Sequence, residues 1–218
     1  MKTLIIKKIS VDGESLLPQD LADLFNREGV VYHPIIEDRW KCSDANPQVE
    51  FAIAHTGSHI LLNFRLADNE VRATETRDDG RVWEDSCCEF FLSPDCNDCY
   101  YNFECNATGR LLLHAGVKPD RPGAPQNILD SVRRWSSLGR EPFDNRRGDI
   151  SWQLSEIIPA SALFIHQLSS FNGLDMTANF YKCGDLLTKP HFLSWSPIVL
   201  EKPMFHCPEF FGCIHFEE

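Results

Sequence analysis

Short stretches in which apolar and polar residues alternate recur along most of this chain, and turn residues separate them. In residues 48–55, for example, Val49, Phe51 and Ile53 occupy every second position, and the next such run begins after Gly57-Ser58. Because successive side chains of a strand point to opposite faces, this pattern predicts half-buried β-strands. Many short strands without long intervening helices favour an all-β sandwich or barrel over a doubly wound α/β fold. Of the two we predict the antiparallel β-sandwich, of immunoglobulin-like or jelly-roll-like type.

One short helix is predicted near the N-terminus. Pro18 suits the first turn of a helix, and Leu21, Leu24 and Phe25 recur at helical spacing. Gly29 is suited to end the helix because glycine readily adopts the left-handed conformation found there.

The length of 218 residues suits one complete hydrophobic core. We therefore expect a single domain over residues 1–218, in which residues 1–29 form an N-terminal extension with the helix. Residues 115–149 contain four prolines and several glycines, and this composition predicts a long loop region.

The charge balance bears on the class of partner. Lys and Arg number 21 and Asp and Glu 32, so the formal net charge is −11. A nucleic-acid or anionic-membrane binder is expected to be basic, so both classes are disfavoured. The N-terminus lacks the apolar run of a signal peptide, which predicts a cytoplasmic protein, or a secreted or periplasmic one if a leader has been removed.

The nine cysteines do not form a recognisable metal motif. The pair Cys96 and Cys99 has C-x-x-C spacing but lacks the second such pair that a zinc site needs. The odd count favours reduced thiols in the core over a disulfide framework. No cofactor is expected to be required, although the oxygen-rich loop at 95–98 raises the alternative of a structural calcium ion.

The segment from Cys87 to Leu92 predicts a central strand. Glu89 shares one face with Cys87 and Phe91, and the other face is equally apolar, so both faces should be covered. Glu89 would then be at least partly buried and would need a partner, for which Arg110 is our prediction.

Three tryptophans are candidates for ligand contact. Trp83 stands at the entrance to the predicted central strand among charged residues, Trp195 follows His191-Phe-Leu-Ser near Pro197, and Trp135 lies in an irregular segment. The flat face of an indole ring can stack on the apolar C–H face of a sugar ring, while nearby charged groups bind its hydroxyls.

Several motifs resemble family 9 carbohydrate-binding modules. Residues 83–95 read W-E-D-S-C-C-E-F-F-L-S-P-D, and residues 100–109 read Y-Y-N-F-E-C-N-A-T-G. Further similar segments follow in the same order at 151–159, 179–184, 191–197 and 205–212. The resemblance covers about residues 30–218, and its last segments resemble the ending of stand-alone bacterial proteins of this family.

The resemblance implies a non-catalytic sandwich that binds a mono- or oligosaccharide, often at its reducing end, between two tryptophans. It implies carbohydrate catabolism and polysaccharides such as xylan or cellulose as the setting. The implied binding residues are Trp83, Glu89, Arg110, Asn179 and Trp195, with Trp135 as the alternative second platform.

Two other hypotheses remain open from the residues. Asp85, Glu89 and Glu104 fall on predicted neighbouring strands, and paired carboxylates are what a glycoside hydrolase uses. Related sandwiches carry haem, for which Met204 and His206 would be the ligands, although their closeness in sequence disfavours positions on opposite sides of a haem.

Overall fold

The structure is a computed structural model and describes residues 2–218. Over that range the chain is built mainly of β-strands with short helices between some of them. The strands are Thr3–Lys8 (β1), His33–Pro34 (β2), Gln48–His55 (β3), His59–Ala73 (β4), Cys87–Ser93 (β5), Tyr100–Asn106 (β6), Leu111–Gly116 (β7), Arg133–Ser136 (β8), Phe143–Pro159 (β9), Asp175–Cys183 (β10), Phe192–Ser194 (β11) and Gly212–Phe216 (β12). The α-helices are Leu21–Glu28 (α1) and Gln126–Ser131 (α2), and 3-10 turns occupy Pro18–Asp20, Val82–Glu84, Ala160–Ala162 and Pro208–Phe210.

The strands form two layers that share one edge. The front sheet has the order β7-β6-β5-β10-β12, and the back sheet has the order β3-β4-β9-β8. Strand β1 joins them, because it runs parallel to β12 along residues 3–6 and parallel to β3 at residues 7 and 8. The other strand pairs of both sheets are antiparallel, which confirms the predicted β-sandwich.

The predicted alternation places the core between the two sheets. Phe51 of the back sheet stacks on Phe180 of the front sheet, with ring centroids 3.6 Å apart. Both rings are fully buried, and they belong to one continuous apolar cluster drawn from both sheets. Burial of this alternating face removes apolar surface from water and holds the layers together.

The predicted helix is confirmed. Pro18 opens a 3-10 turn, and α1 follows it with Leu21, Leu24 and Phe25 buried against the back sheet. Gly29 has a φ of 66°, the left-handed conformation that ends the helix.

Two local predictions were wrong. Strand β1 lies within the predicted N-terminal extension, and its Leu-Ile-Ile run carries no alternation that would reveal it. Residues 115–149 are not one long loop, since they contain α2, β8 and the start of β9. Helix α2 is only six residues long, and β8 reads Arg-Arg-Trp-Ser, so neither shows a usable periodicity.

The cysteines lie partly inside and partly at the surface of the described range. Those buried are Cys87, Cys88, Cys105, Cys183 and Cys207, and no disulfide joins any of these five. Over residues 2–218 the helices are too short or too polar to cross a membrane.

Candidate functional site

The outer face of the front sheet carries polar side chains in the middle of an otherwise apolar surface. Strand parity turns Glu89 of β5 and Asn102 and Glu104 of β6 away from the sandwich core. Glu89 and Glu104 are directly opposite each other in the antiparallel register. Both are almost completely buried, because the chain returns over this face near its C-terminus.

A cavity of about 560 Å³ opens on this face, and we call it the front-sheet cleft. Its volume falls within the roughly 300–1,000 Å³ of small-molecule sites. The apolar part of the lining includes Trp83, Leu112, Pro119, Phe192, Pro203, Met204 and Phe205. The polar part includes Glu89, Asn102, Glu104, His114, Lys118, Arg121, Asp185 and His206.

Arg121 organises the polar floor of the cleft. Its guanidinium lies over the ring of Tyr100, 3.8 Å from the centroid, and Nη2 donates to the Tyr100 carbonyl at 3.0 Å. Nη2 also donates to Asn102 Oδ1 at 2.5 Å, and Asn102 Nδ2 in turn donates to Glu104 Oε1 at 2.7 Å. This chain of hydrogen bonds fixes the amide and the Glu104 carboxyl before any ligand arrives.

Burial shifts the pKa values of titratable groups at the cleft. It raises the pKa of Glu104 to about 7, against the hydrogen bond from Asn102 and the charge of Arg121. Burial, with the nearby Glu84 charge, raises the pKa of Asp185 to about 6. Burial and then the charge of Arg121 lower the pKa of His206 to about 3, so this imidazole is neutral near pH 7. The floor therefore combines carboxyl groups, a neutral imidazole, an amide and a guanidinium, which together can donate hydrogen bonds to a ligand and accept hydrogen bonds from it.

Glu89 lies beneath the cleft beside two thiols. Its Oε1 accepts a hydrogen bond from Cys183 Sγ at 3.1 Å, and the Cys87 thiol lies close to both groups. Burial, followed by the neighbouring Cys183 and Glu104, raises the pKa of Glu89 well above its ordinary value. The predicted Glu89–Arg110 ion pair was wrong, because the Glu89 contact is to Cys183 while Arg110 Nε, also buried, has no hydrogen-bond partner among residues 2–218.

The structure brings together Trp83 and Glu89 of the five predicted binding residues. Trp83 is partly exposed at the rim, in the 3-10 turn that precedes β5. Arg110 lies outside the cleft, where its backbone N–H donates to Asn106 Oδ1 in the β6–β7 turn.

Asn179 and Trp195 are internal. The Asn179 amide clamps the Ser196 backbone, donating to its carbonyl at 3.0 Å and accepting from its N–H at 2.8 Å. Trp195 is 4% exposed and packs edge-on against Phe51 and Phe180 in the core. The alternative platform, Trp135, lies on β8 of the back sheet.

The predicted group of three carboxylates is divided. Asp85 is 1% exposed and accepts hydrogen bonds from the Thr74 and Glu75 backbone N–H groups, Arg72 Nε and Asn106 Nδ2. Through these bonds Asp85 holds the end of β4 to β5. Glu89 and Glu104 face the cleft.

The remaining predicted ligand groups also have protein partners. In the oxygen-rich loop, Asp95 Oδ2 is 3.1 Å from His166 Nε2, and Asn97 Oδ1 accepts from the Cys99 N–H. His206 of the haem hypothesis has Nδ1 2.9 Å from the Tyr100 hydroxyl and Nε2 3.8 Å from Glu104 Oε1. Both of its ring nitrogens therefore face protein groups.

The sequence reasoning missed Asn102, Arg121, Asp185 and His206 as cleft residues. Asn102 had a usable signal, since it is polar, lies two residues before Glu104 and shares its face of β6. Arg121, Asp185 and His206 come from irregular segments, where no periodicity indicates which way a side chain points.

Known proteins resemble this chain in sequence and in fold. A family model described as carbohydrate-binding family 9 matches residues 19–216. The chain belongs to carbohydrate-binding family 9. No protein with a curated description matches the chain.

Solved structures agree with the family assignment. A protein from Bacteroides uniformis ATCC 8492, described as a candidate carbohydrate-binding protein, is 49% identical with a TM-score of 0.96, and 99% of each chain is covered. A family 9 module from Caldicellulosiruptor kristjanssonii in complex with glucose has a TM-score of 0.64 at 11% identity, covering 99% of this chain and 96% of the module. The complex of such a module with cellotriose gives 0.67 at 11% identity, with 99% and 94% covered. At that identity the two modules show a shared fold.

Proposed function

We propose that this family 9 protein binds a mono- or oligosaccharide in the front-sheet cleft without chemically changing it. The observation that carries the proposal is the combination of a partly exposed Trp83 with a prearranged polar floor in one cavity of about 560 Å³. Sugar rings offer apolar C–H faces and a rim of hydroxyls, and this cleft offers a partner for each.

The polar floor supplies several kinds of hydroxyl partner. Asn102 is held by Arg121 and Glu104, and the two carboxyls of Glu89 and Glu104 can donate or accept according to their protonation. Asp185 lies at the same cavity. Because these groups are already ordered, binding a sugar requires little further loss of side-chain freedom.

We assign the second apolar contact to Phe192 and Phe205 in place of a second tryptophan. Both rings line the cleft, and Phe205 is supported by stacking on Tyr181 at a centroid distance of 4.2 Å. Trp195 is enclosed in the core and Trp135 belongs to the other sheet, so neither shares the cavity with Trp83.

The setting of this binding is also a proposal. The neighbouring modules from Caldicellulosiruptor kristjanssonii were solved with glucose and with cellotriose. We take β-linked glucose and xylose oligosaccharides, the products of cellulose and xylan breakdown, as the first ligands to examine and carbohydrate catabolism as the process served.

The alternative of a glycoside hydrolase keeps only two of its three carboxylates. Asp85 is committed to structural hydrogen bonds, which leaves Glu89 and Glu104 side by side on neighbouring strands. A hydrolase needs one acid and one base or nucleophile on either side of the scissile bond. Turnover of chromogenic glucosides or xylosides that disappears in Glu104→Gln would favour this alternative over simple binding.

Calorimetric titration with glucose, xylose, cellotriose and xylotriose tests the binding proposal. We expect heat of binding with at least one sugar and at least a tenfold increase in Kd in Trp83→Ala, because the stacking surface is lost. Trp135→Ala is the matched control, since Trp135 is also partly exposed but lies on the back sheet.

Two results would contradict the proposal. One is the absence of binding to the whole panel by a protein whose circular dichroism shows an intact β fold. The other is an equal loss of affinity in the Trp135 variant, which would locate the sugar away from the front-sheet cleft.

A further inference from the structure

A second chemical feature lies at the base of the front-sheet cleft. Cys87 and Glu89 are two positions apart on β5, so their side chains share the outer face. Cys183 on the neighbouring strand β10 is directly opposite Cys87 in the antiparallel register. The backbone therefore delivers two thiols and one carboxyl to a single spot.

The three ligating groups are close together. One atom from each, the Cys87 Sγ, a Glu89 carboxylate oxygen and the Cys183 Sγ, all lie within 4.8 Å of one another. The Cys183 Sγ is 3.1 Å from Glu89 Oε1. Bonds of about 2.3 Å to sulfur and about 2.0–2.2 Å to oxygen would place the ligands of a tetrahedral zinc ion roughly 3.5–4 Å apart. Only small side-chain adjustments separate the present spacing from that one.

The cluster is buried and has no paired cation of its own. All three groups are buried, with Glu89 3% exposed, and Asp185 and Glu104 line the same cavity. Among the described residues no ion pair involves Glu89, while Arg121 and Lys118 of the same cavity lie among the other polar groups. A divalent ion bound between the thiols and Glu89 would supply positive charge at the point where these three groups meet.

We propose that Cys87, Glu89 and Cys183 bind a zinc-like divalent metal ion at the base of the cleft. Two thiolates and one carboxylate form a donor set suited to zinc, whereas calcium and magnesium prefer oxygen ligands alone. Glu89 and Cys183 line the cavity, from which a water molecule would complete the tetrahedron. Binding converts the Cys87 and Cys183 thiols to thiolates and the Glu89 carboxyl to a carboxylate, and the protons that all three release pass to solvent.

This inference goes beyond sugar binding and does not depend on it. A metal ion here would hold β5 to β10 and fix the Glu89 carboxylate, so that a sugar would meet Glu89 as a ligand of the ion. If no metal binds, the cluster is a hydrogen-bonded group of thiols and a carboxyl, and the sugar proposal is unaffected.

The test uses the full chain, purified without chelator and then titrated with Zn²⁺ or Co²⁺. We expect about one zinc per chain by elemental analysis and a thiolate-to-cobalt charge-transfer band in the near ultraviolet. The bound zinc and the cobalt band should both be lost in Cys87→Ser and in Cys183→Ser, because each substitution should weaken zinc affinity at least tenfold. Cys88→Ser is the matched control, because Cys88 adjoins Cys87 and is equally buried but faces the core.

Three results would overturn the proposal. The wild-type chain could take up no zinc or cobalt, or the charge-transfer band could persist in both variants, which would place the metal on other thiols. Mass analysis after thiol alkylation could instead show a Cys87–Cys183 disulfide in the freshly isolated protein. Circular dichroism of each variant, recorded before titration, shows whether loss of metal arises from loss of fold.

Discussion

At the scale of single residues, this protein buries acids in two different ways. Asp85 is surrounded by donors from the backbone and from Arg72, so its charge is satisfied. Glu156 on β9 is equally buried, but neither of its carboxyl oxygens accepts a hydrogen bond from any residue that the structure describes. Burial raises the pKa of Glu156 to about 8, against the charge of Arg134.

The raised pKa of Glu156 predicts how stability depends on pH. In the unfolded chain this carboxyl ionises near 4.5, whereas in the folded protein it holds its proton up to about pH 8. Between these values the folded state binds the extra proton, so the contribution of Glu156 to the free energy of unfolding falls as pH rises. Relative to the wild type, the free energy of unfolding of Glu156→Gln should therefore rise by up to about 4 kcal/mol between pH 4.5 and pH 8, since the folded protein keeps the extra proton over about three pH units of this range.

Urea unfolding of both proteins at several pH values measures this difference. A constant difference between wild type and Glu156→Gln across the range would show that Glu156 does not hold a proton in the folded state.

The position of a side chain could be predicted from the sequence within strands, where parity fixes the face, but not within loops. The apolar pattern of residues 87–92 correctly predicted that Glu89 lies in a central, doubly covered strand. It did not reveal the contact with Cys183, because the sequence of β5 contains no information on its register with β10. Trp195 illustrates the same limit, since only the packing of the two sheets shows that its ring is internal.

At the scale of elements, β1 is the strand that completes the sandwich. It pairs with β12 and with β3, so it closes the gap between the sheets along one side. Its neighbouring residues Ile5 and Ile6 point to opposite faces, and Ile5 is 68% exposed whereas Ile6 is 0% exposed.

This difference predicts unequal effects of the same substitution. Ile6→Ala should lower the free energy of unfolding by about 2–4 kcal/mol, because it removes buried methyl groups and leaves a cavity in the core. Ile5→Ala should lower it by less than about 1 kcal/mol, since it loses mainly strand propensity. Equal effects in chemical denaturation would mean that β1 does not occupy its place between the sheets.

Elements with a clear alternation were predictable, and elements without one were not. The strands near residues 49–66 and 87–106 follow from their patterns, and the N-terminal helix follows from Pro18 and Gly29. Within β4 the pairing with β9 shifts register between Asp68 and Glu70 and again between Val71 and Ala73. Such a bulge interrupts the period without ending the strand.

At the scale of the whole molecule, the site depends on how the chain returns to cover the front sheet. Residues 195–211 pass over the outer face and supply Phe205 and His206 to the cleft. Arg121 reaches the same cleft from the segment that follows β7. The family resemblance predicted the fold, and the structure places two of the implied residues, Trp83 and Glu89, at the cleft. The cover could not be predicted from the sequence, because the segment has no periodic pattern.

Two cavities of similar volume lie on the two sheets. A second cavity of about 620 Å³ lies near β3 and β9 of the back sheet and is slightly larger than the front-sheet cleft. It contains Arg65, Glu50 and Gln153, but its only indole, Trp152, is buried and donates to Asp68 Oδ2 at 2.8 Å. The proposal therefore states where the sugar binds, in the front-sheet cleft and not in the back-sheet cavity, as well as which groups bind it.

The most direct test of that claim is a titration of the isotopically labelled protein with glucose and cellotriose, followed by two-dimensional ¹H–¹⁵N NMR. The account predicts that the largest shift changes occur at the Trp83 indole N–H, the Asn102 side-chain amide and the neighbouring β5 and β6 amides. Shift changes concentrated instead on Gln153 and the residues around the back-sheet cavity would contradict it.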